Sequence, residues 1–195
     1  MIFSAIPALS FLAGEAFAGV SALIPLCPPD PVLRFAALLR HCHPKGDGEG
    51  CAHAAREILQ GLKMPVKMMD AVQQLVLHQH LPVDEENLQE LLWRLGEEGL
   101  ARLLAFRGAM AALQQEQTEK WALLTEKMAG LLASGCCHQL SHLAVKGSDL
   151  SALGLRGPAI GRMLEMLMMQ VVHGKIPNIK ESLLNFVRSN TEHLA

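Results

Sequence analysis

Six basic side chains fall between positions 146 and 188 of this 195-residue chain: Lys146, Arg156, Arg162, Lys175, Lys180 and Arg188. Three acids, Asp149, Glu165 and Glu181, stand against them, leaving a local net charge of +3. Ammonium and guanidinium groups gathered in one stretch suit phosphate contact, because each one releases counterions from an anionic backbone. Arg156 has a further feature. It stands two residues before Pro158, and proline at the first helical position gives up only an N–H that would be unpaired anyway, so a helix starts there. The free N–H groups of that helix end and the neighbouring guanidinium both favour an anion. The candidate phosphate contacts are Lys146, Arg156, Arg162, Lys175 and Lys180. On charge alone, a solvated face with scattered Lys and Arg explains the same excess. Residues 81 to 127 run the other way, with nine acids against five bases, a net of −4. The whole-chain charge of −2 makes no case for nucleic acid; only the distribution does.

Two other clusters could carry chemistry. Cys136, Cys137, His138 and His142 are dense, and the two histidines lie four apart as on one helical face, a usable zinc geometry in principle. The spacing matches no established zinc pattern, and two buried thiols with two surface histidines account for it. His78 and His80, two apart, leave a helix on different faces and read as exposed histidines. We therefore assign no metal site and no catalytic residue. The chain also contains no Asp-x-Asp, a spacing with which paired aspartates can hold Mg²⁺ on a triphosphate, and no glycine-rich strand turn to present one.

These side chains must be positioned by helices. Half of the chain is apolar, there is no tyrosine, and leucine and alanine abound, which favours helix over sheet. The pattern predicts helices from Pro7 to about Leu23, Val32 to His41, after the Pro44–Gly50 loop to about Leu62, Pro65 to about His80, and Val83 to Leu95. A nearly continuous helical register follows from Glu97 to about Ala133, as one helix or two, with Gly108 as a candidate bend and Ser134-Gly135 as the stop. Gly147 and Gly154 suit tight turns around a short segment that Ser148 can cap. In the next helix Ile160, Met163, Leu164, Leu167, Met168, Val171 and Val172 form one apolar stripe. His173 and Gly174 end it, and Asn178 with Glu181 suits a capping box for a last helix. No segment alternates as a strand does. The ten methionines read as flexible core filler.

Five cysteines without a repeated spacing point to reduced thiols and hence the cytoplasm. The apolar first 27 residues contain no Lys or Arg, and Glu15 interrupts them, which argues against a secretory signal. Pro7, Glu15 and Pro25 argue against a membrane span.

The order LAVKGSDL (143–150), GPAIG (157–161) and GKIPN (174–178) resembles the last domain of bacterial CCA-adding tRNA nucleotidyltransferases and their poly(A) polymerase relatives. The likeness extends more weakly back to about Val32. It implies an all-α, multi-helix array: a neck with a degenerate HD-like portion over 1–80, a body over 81–135 and a small tRNA-contacting tail over 136–195. In such enzymes an adjacent His-Asp pair, which binds metal, closes an Ala-Leu-Leu helix. Here Ala37, Leu38 and Leu39 are followed by Arg40 and His41, and an arginine brings positive charge where a cation needs carboxylate or imidazole. The resemblance further implies a parent enzyme that uses CTP, ATP and Mg²⁺ on tRNA 3′ ends, with its catalytic head ahead of residue 1. The present residues alone are then inactive. The choice among adding CCA, a single A or poly(A) lies in the head. The competing reading is a helical interaction module, or a homodimer, built on the acidic middle and the leucine stripes.

Overall fold

In the computed structural model, which describes residues 15–43 and 48–191, proline and aspartate set the first boundaries. Helix α1 (Glu15–Leu23) closes in a 3-10 turn over Ile24–Leu26; the expected stretch from Pro7 to Gly14 lies outside the described residues. Helix α2 (Pro31–Leu39) is capped by Asp30, whose carboxylate accepts from the Val32 N–H at 2.8 Å, while Pro31 has no N–H to leave unpaired. Helices α3 (Gly48–Gly61) and α4 (Val66–His78) follow, the second starting behind Pro65. The long α5 (Leu88–Gln114) is kinked at Gly96, whose φ of 72° and ψ of 172° are not helical. Next come α6 (Glu119–Ala133), a 3-10 turn over Leu140–His142, α7 (Gly147–Ala152), α8 (Pro158–Val172) and α9 (Lys180–Thr191). The fold is all-α, and no strand occurs among the described residues.

Several expectations shift. Helix α3 begins at Gly48, inside the segment read as loop. Helix α5 begins at Leu88, not Val83: Val83 is buried in non-helical backbone, and the acids at 84 to 86 precede the first helical turn. The run from Glu97 to Ala133, expected as one helix or two, is two, broken at Gln115 to Thr118. Gly108 does not bend its helix; a Cβ there would lie 3.5 Å from that of Trp121, so the glycine marks a close approach.

The chain divides into two compact units. The first takes in the described residues of Met1–Asp84 together with Glu97–Lys127. In it α4 packs against both α2 and α3, and Leu39, Leu59, Leu100, Leu103, Leu104 and Phe106 are wholly buried. The second takes in Glu85–Gly96 and the described residues of Met128–Ala195. Its core joins Leu143, Val145, Leu150 and Leu155 to Met163, Leu167 and Met168 of α8 and Leu183 and Val187 of α9, with Trp93 against them. Each fully buried aliphatic side chain there contributes roughly 1.5–3 kcal/mol. The expected α8 stripe is thus the face packed into this core, and Arg162 lies on the exposed side of the helix. No helix among the described residues is long and apolar enough to cross a membrane.

Candidate nucleic-acid interface

All five expected phosphate contacts are exposed, and all lie in the second unit. Lys146 stands immediately before α7 and Lys180 opens α9. Asp149 joins them: one carboxylate oxygen accepts from the Lys180 ammonium at 2.6 Å, and the other accepts from the Lys146 backbone N–H at 2.8 Å. The Lys180 hydrogen bond, then the Lys146 N–H, holds the Asp149 carboxyl below the usual aspartate range. The Lys146 ammonium donates to the Ser141 carbonyl at 2.6 Å. Asp149 therefore does the capping that the sequence suggested for Ser148.

Asn178 builds the second support. Its amide donates to the His142 carbonyl at 2.9 Å and its oxygen accepts from the Ala144 N–H at 2.9 Å. The side chain expected to cap α9 is instead a clasp across 36 residues of sequence, tying the segment ahead of Lys180 to the segment ahead of Lys146. Gly147 contributes through its size, since an added Cβ would meet Ile160 of α8 at 3.3 Å.

Arg156, Arg162 and Lys175 are placed differently. Arg156 lies in the turn before α8, Arg162 on the exposed face of its second turn, and Lys175 in the turn after it. Among the described residues no ion pair or side-chain hydrogen bond joins any of them to a neighbour. The structure thus brings Lys146 and Lys180 together through Asp149 and leaves the other three as separate exposed cations. Asp149 and Asn178 were missed as site residues. Their signals were an aspartate three residues beyond Lys146 and the asparagine two before Lys180.

The Cys-His cluster resolves otherwise than expected. Cys137 and His138 are buried, Cys136 is half-buried and His142 is exposed, so one of the two surface histidines is internal. The His138 Nδ1–H donates to the Cys136 carbonyl at 3.0 Å, and burial pushes the Cys137 thiol up. No group of three His, Cys, Asp or Glu among the described residues is placed to hold a metal ion.

At the HD-like position in the first unit, Arg40 ends α2 and donates to the Met110 sulfur at 3.3 Å. Gln79, 1% exposed, donates to the Arg40 carbonyl at 3.2 Å, and Arg107, lying 4.8 Å over the Trp121 ring, donates to the Gln79 carbonyl at 2.7 Å. Burial, then Arg40 and His80, depresses the His41 pKa. Two guanidiniums and an amide now tie helix ends together here, and such residues do not fit a divalent cation.

The second unit is all-helical and presents lysine and arginine around turns clasped by Asp149 and Asn178. The sequence profile of tRNA nucleotidyltransferase domain 2 matches residues 50–187, and the chain belongs to that family. No curated protein and no solved structure matches it.

Proposed function

We propose that the chain is the tRNA-binding body and tail of a tRNA nucleotidyltransferase, with Lys146, Arg156, Arg162, Lys175 and Lys180 contacting the RNA backbone. The Lys146–Asp149–Lys180 arrangement carries this reading, because one carboxylate holds the Lys180 ammonium and the backbone N–H of Lys146 in a unit that the family match covers. Contacts of this kind read the shape of an A-form helix and not base edges. Nucleotide addition requires a catalytic head with paired aspartates, CTP, ATP and Mg²⁺, none of which these residues supply; the parent adds nucleotides to tRNA 3′ ends. The five free cysteines fit a reducing compartment, the cytoplasm.

The direct test is tRNA binding by fluorescence anisotropy at low salt, together with mass by size-exclusion light scattering. The reading expects tRNA binding that a Lys175→Ala/Lys180→Ala variant weakens by at least tenfold. A concentration-dependent dimer indifferent to RNA would instead establish the interaction-module alternative.

A further inference from the structure

We propose that Cys42 and Cys51 are a redox-responsive pair, which a low-molecular-weight disulfide of the glutathione class converts into an intramolecular disulfide that staples the end of α2 to the first turn of α3. The pair belongs to the first unit and the five basic residues to the second, so this site stands without the tRNA-binding reading.

Cys42 follows the last turn of α2, where its N–H donates to the Leu39 carbonyl at 3.1 Å, and Cys51 lies in the first turn of α3. The Cys42 thiol donates to the Cys51 carbonyl at 3.3 Å, and the two thiol groups themselves interact. Both segments are fixed by a third helix. Helices α2 and α3 each pack on α4, and α3 starts so close to the end of α4 that a Cβ on Gly48 would lie 3.1 Å from the Leu77 carbonyl oxygen. Cys51 is wholly buried and Cys42 half-buried, so Cys42 is the point of entry for a reagent. The remaining thiols face other neighbours: Cys137 the Met168 sulfur at 3.7 Å, Cys136 the His138 Nδ1 at 3.7 Å, and Cys27 the guanidiniums of Arg34 and Arg40.

The Cys42 thiolate attacks the small disulfide, which forms a mixed disulfide and releases one small thiolate; the Cys51 thiolate then attacks the Cys42 sulfur and releases the second. In net, the two cysteines give up two protons and two electrons, and the oxidant becomes two thiols. Burial, then the neighbouring Cys51, pushes the Cys42 thiol up to about 12, with opposite effects on rate and on equilibrium. Little thiolate is present, so the first step is slow. A dithiol whose thiolate the fold does not stabilise favours the closed form, so the disulfide, once made, resists reduction. Closing the short connection between α2 and α3 also restricts the unfolded chain.

The test is oxidation of the native chain to completion with oxidised glutathione, alkylation of the thiols that remain, and peptide mapping by mass spectrometry, followed by urea unfolding of the oxidised and the dithiothreitol-reduced chain. Of the five free thiols, Cys42 and Cys51 should be lost to alkylation and recovered as one cross-linked peptide pair. The unfolding constant extrapolated to water should fall roughly tenfold to a hundredfold on oxidation. Cys42→Ser and Cys51→Ala should each abolish the cross-link and the stabilisation, whereas Cys27→Ala should keep both. Cys42→Ser, at a half-buried position, makes the comparison without opening the core. The proposal is overturned if Cys42 and Cys51 stay alkylatable, if the reaction stops at a mixed disulfide on Cys42, if the cross-link maps to another pair, or if the oxidised and reduced chains share one urea midpoint.

Discussion

Asp149 counts against a basic face in a charge tally, yet its two oxygens are what bring Lys146 and Lys180 together. This makes Lys180 unlike Lys175. Removing Lys175 deletes one cation, whereas Lys180→Ala deletes a cation and uncovers a carboxylate that repels phosphate. Lys180→Ala should weaken tRNA binding several-fold more than Lys175→Ala, and the excess should vanish in Lys180→Ala/Asp149→Asn, as a double-mutant cycle would show. The Asp149 carboxyl, held low chiefly by Lys180, should titrate at higher pH in Lys180→Ala, read by carboxyl NMR. The sign for stability follows: a depressed carboxylate stabilises the fold above the ordinary aspartate range near pH 4, and this is lost as pH falls through the depressed value. Exposure of the five basic residues was legible in the sequence, because each falls off the apolar stripes. The Lys180–Asp149 pairing was not, since partners 31 positions apart leave no mark in local spacing.

Helix ends follow one device that glycine announces and other residues conceal. After α3, α5, α6, α7 and α8 the same pair of backbone bonds recurs, reaching back three and five residues from consecutive N–H groups. Behind α6, α7 and α8 the left-handed residue is Gly135, Gly154 or Gly174, and those ends were readable from the sequence. Behind α5 it is Gln115, at a φ of 57°, so the continuous apolar register left one helix or two open and did not locate the break between α5 and α6. Behind α3 it is Lys63, at a φ of 56°, a conformation that strains a side chain with a Cβ. Lys63→Gly should therefore stabilise the first unit by about 1 kcal/mol, seen as a raised urea midpoint. An unchanged or lowered midpoint would contradict this account of the turn. The start of α5 was misread for a related reason: acids at 84 to 86 resemble a first helical turn, but Val83 is buried in non-helical backbone and a turn over 85–87 precedes the helix.

At the scale of the whole molecule, opposite charges fall on different stretches, net −4 over 81–127 and net +3 over 146–188. The all-α class was legible from composition and periodicity, and the family from three short motifs that the profile over 50–187 contains. The division into units was less so. It runs through α5 at Gly96, where the sequence already parted a helix ending at Leu95 from a register resuming at Glu97, and through α6 after Lys127, where a continuous helical register gives no compositional break to read. The central claim, that the second unit holds tRNA through its phosphates, has a direct physical signature, since each neutralised phosphate adds to the salt dependence of binding. The decisive measurement is tRNA affinity across a salt series at neutral pH for the unmodified chain and for Lys146→Ala/Lys180→Ala. For about three neutralised phosphates, log affinity should fall with log salt at a slope of roughly −2 to −3, and the double variant should flatten it by about 1.5. A slope near zero, or one that the double variant leaves unchanged, would contradict the account.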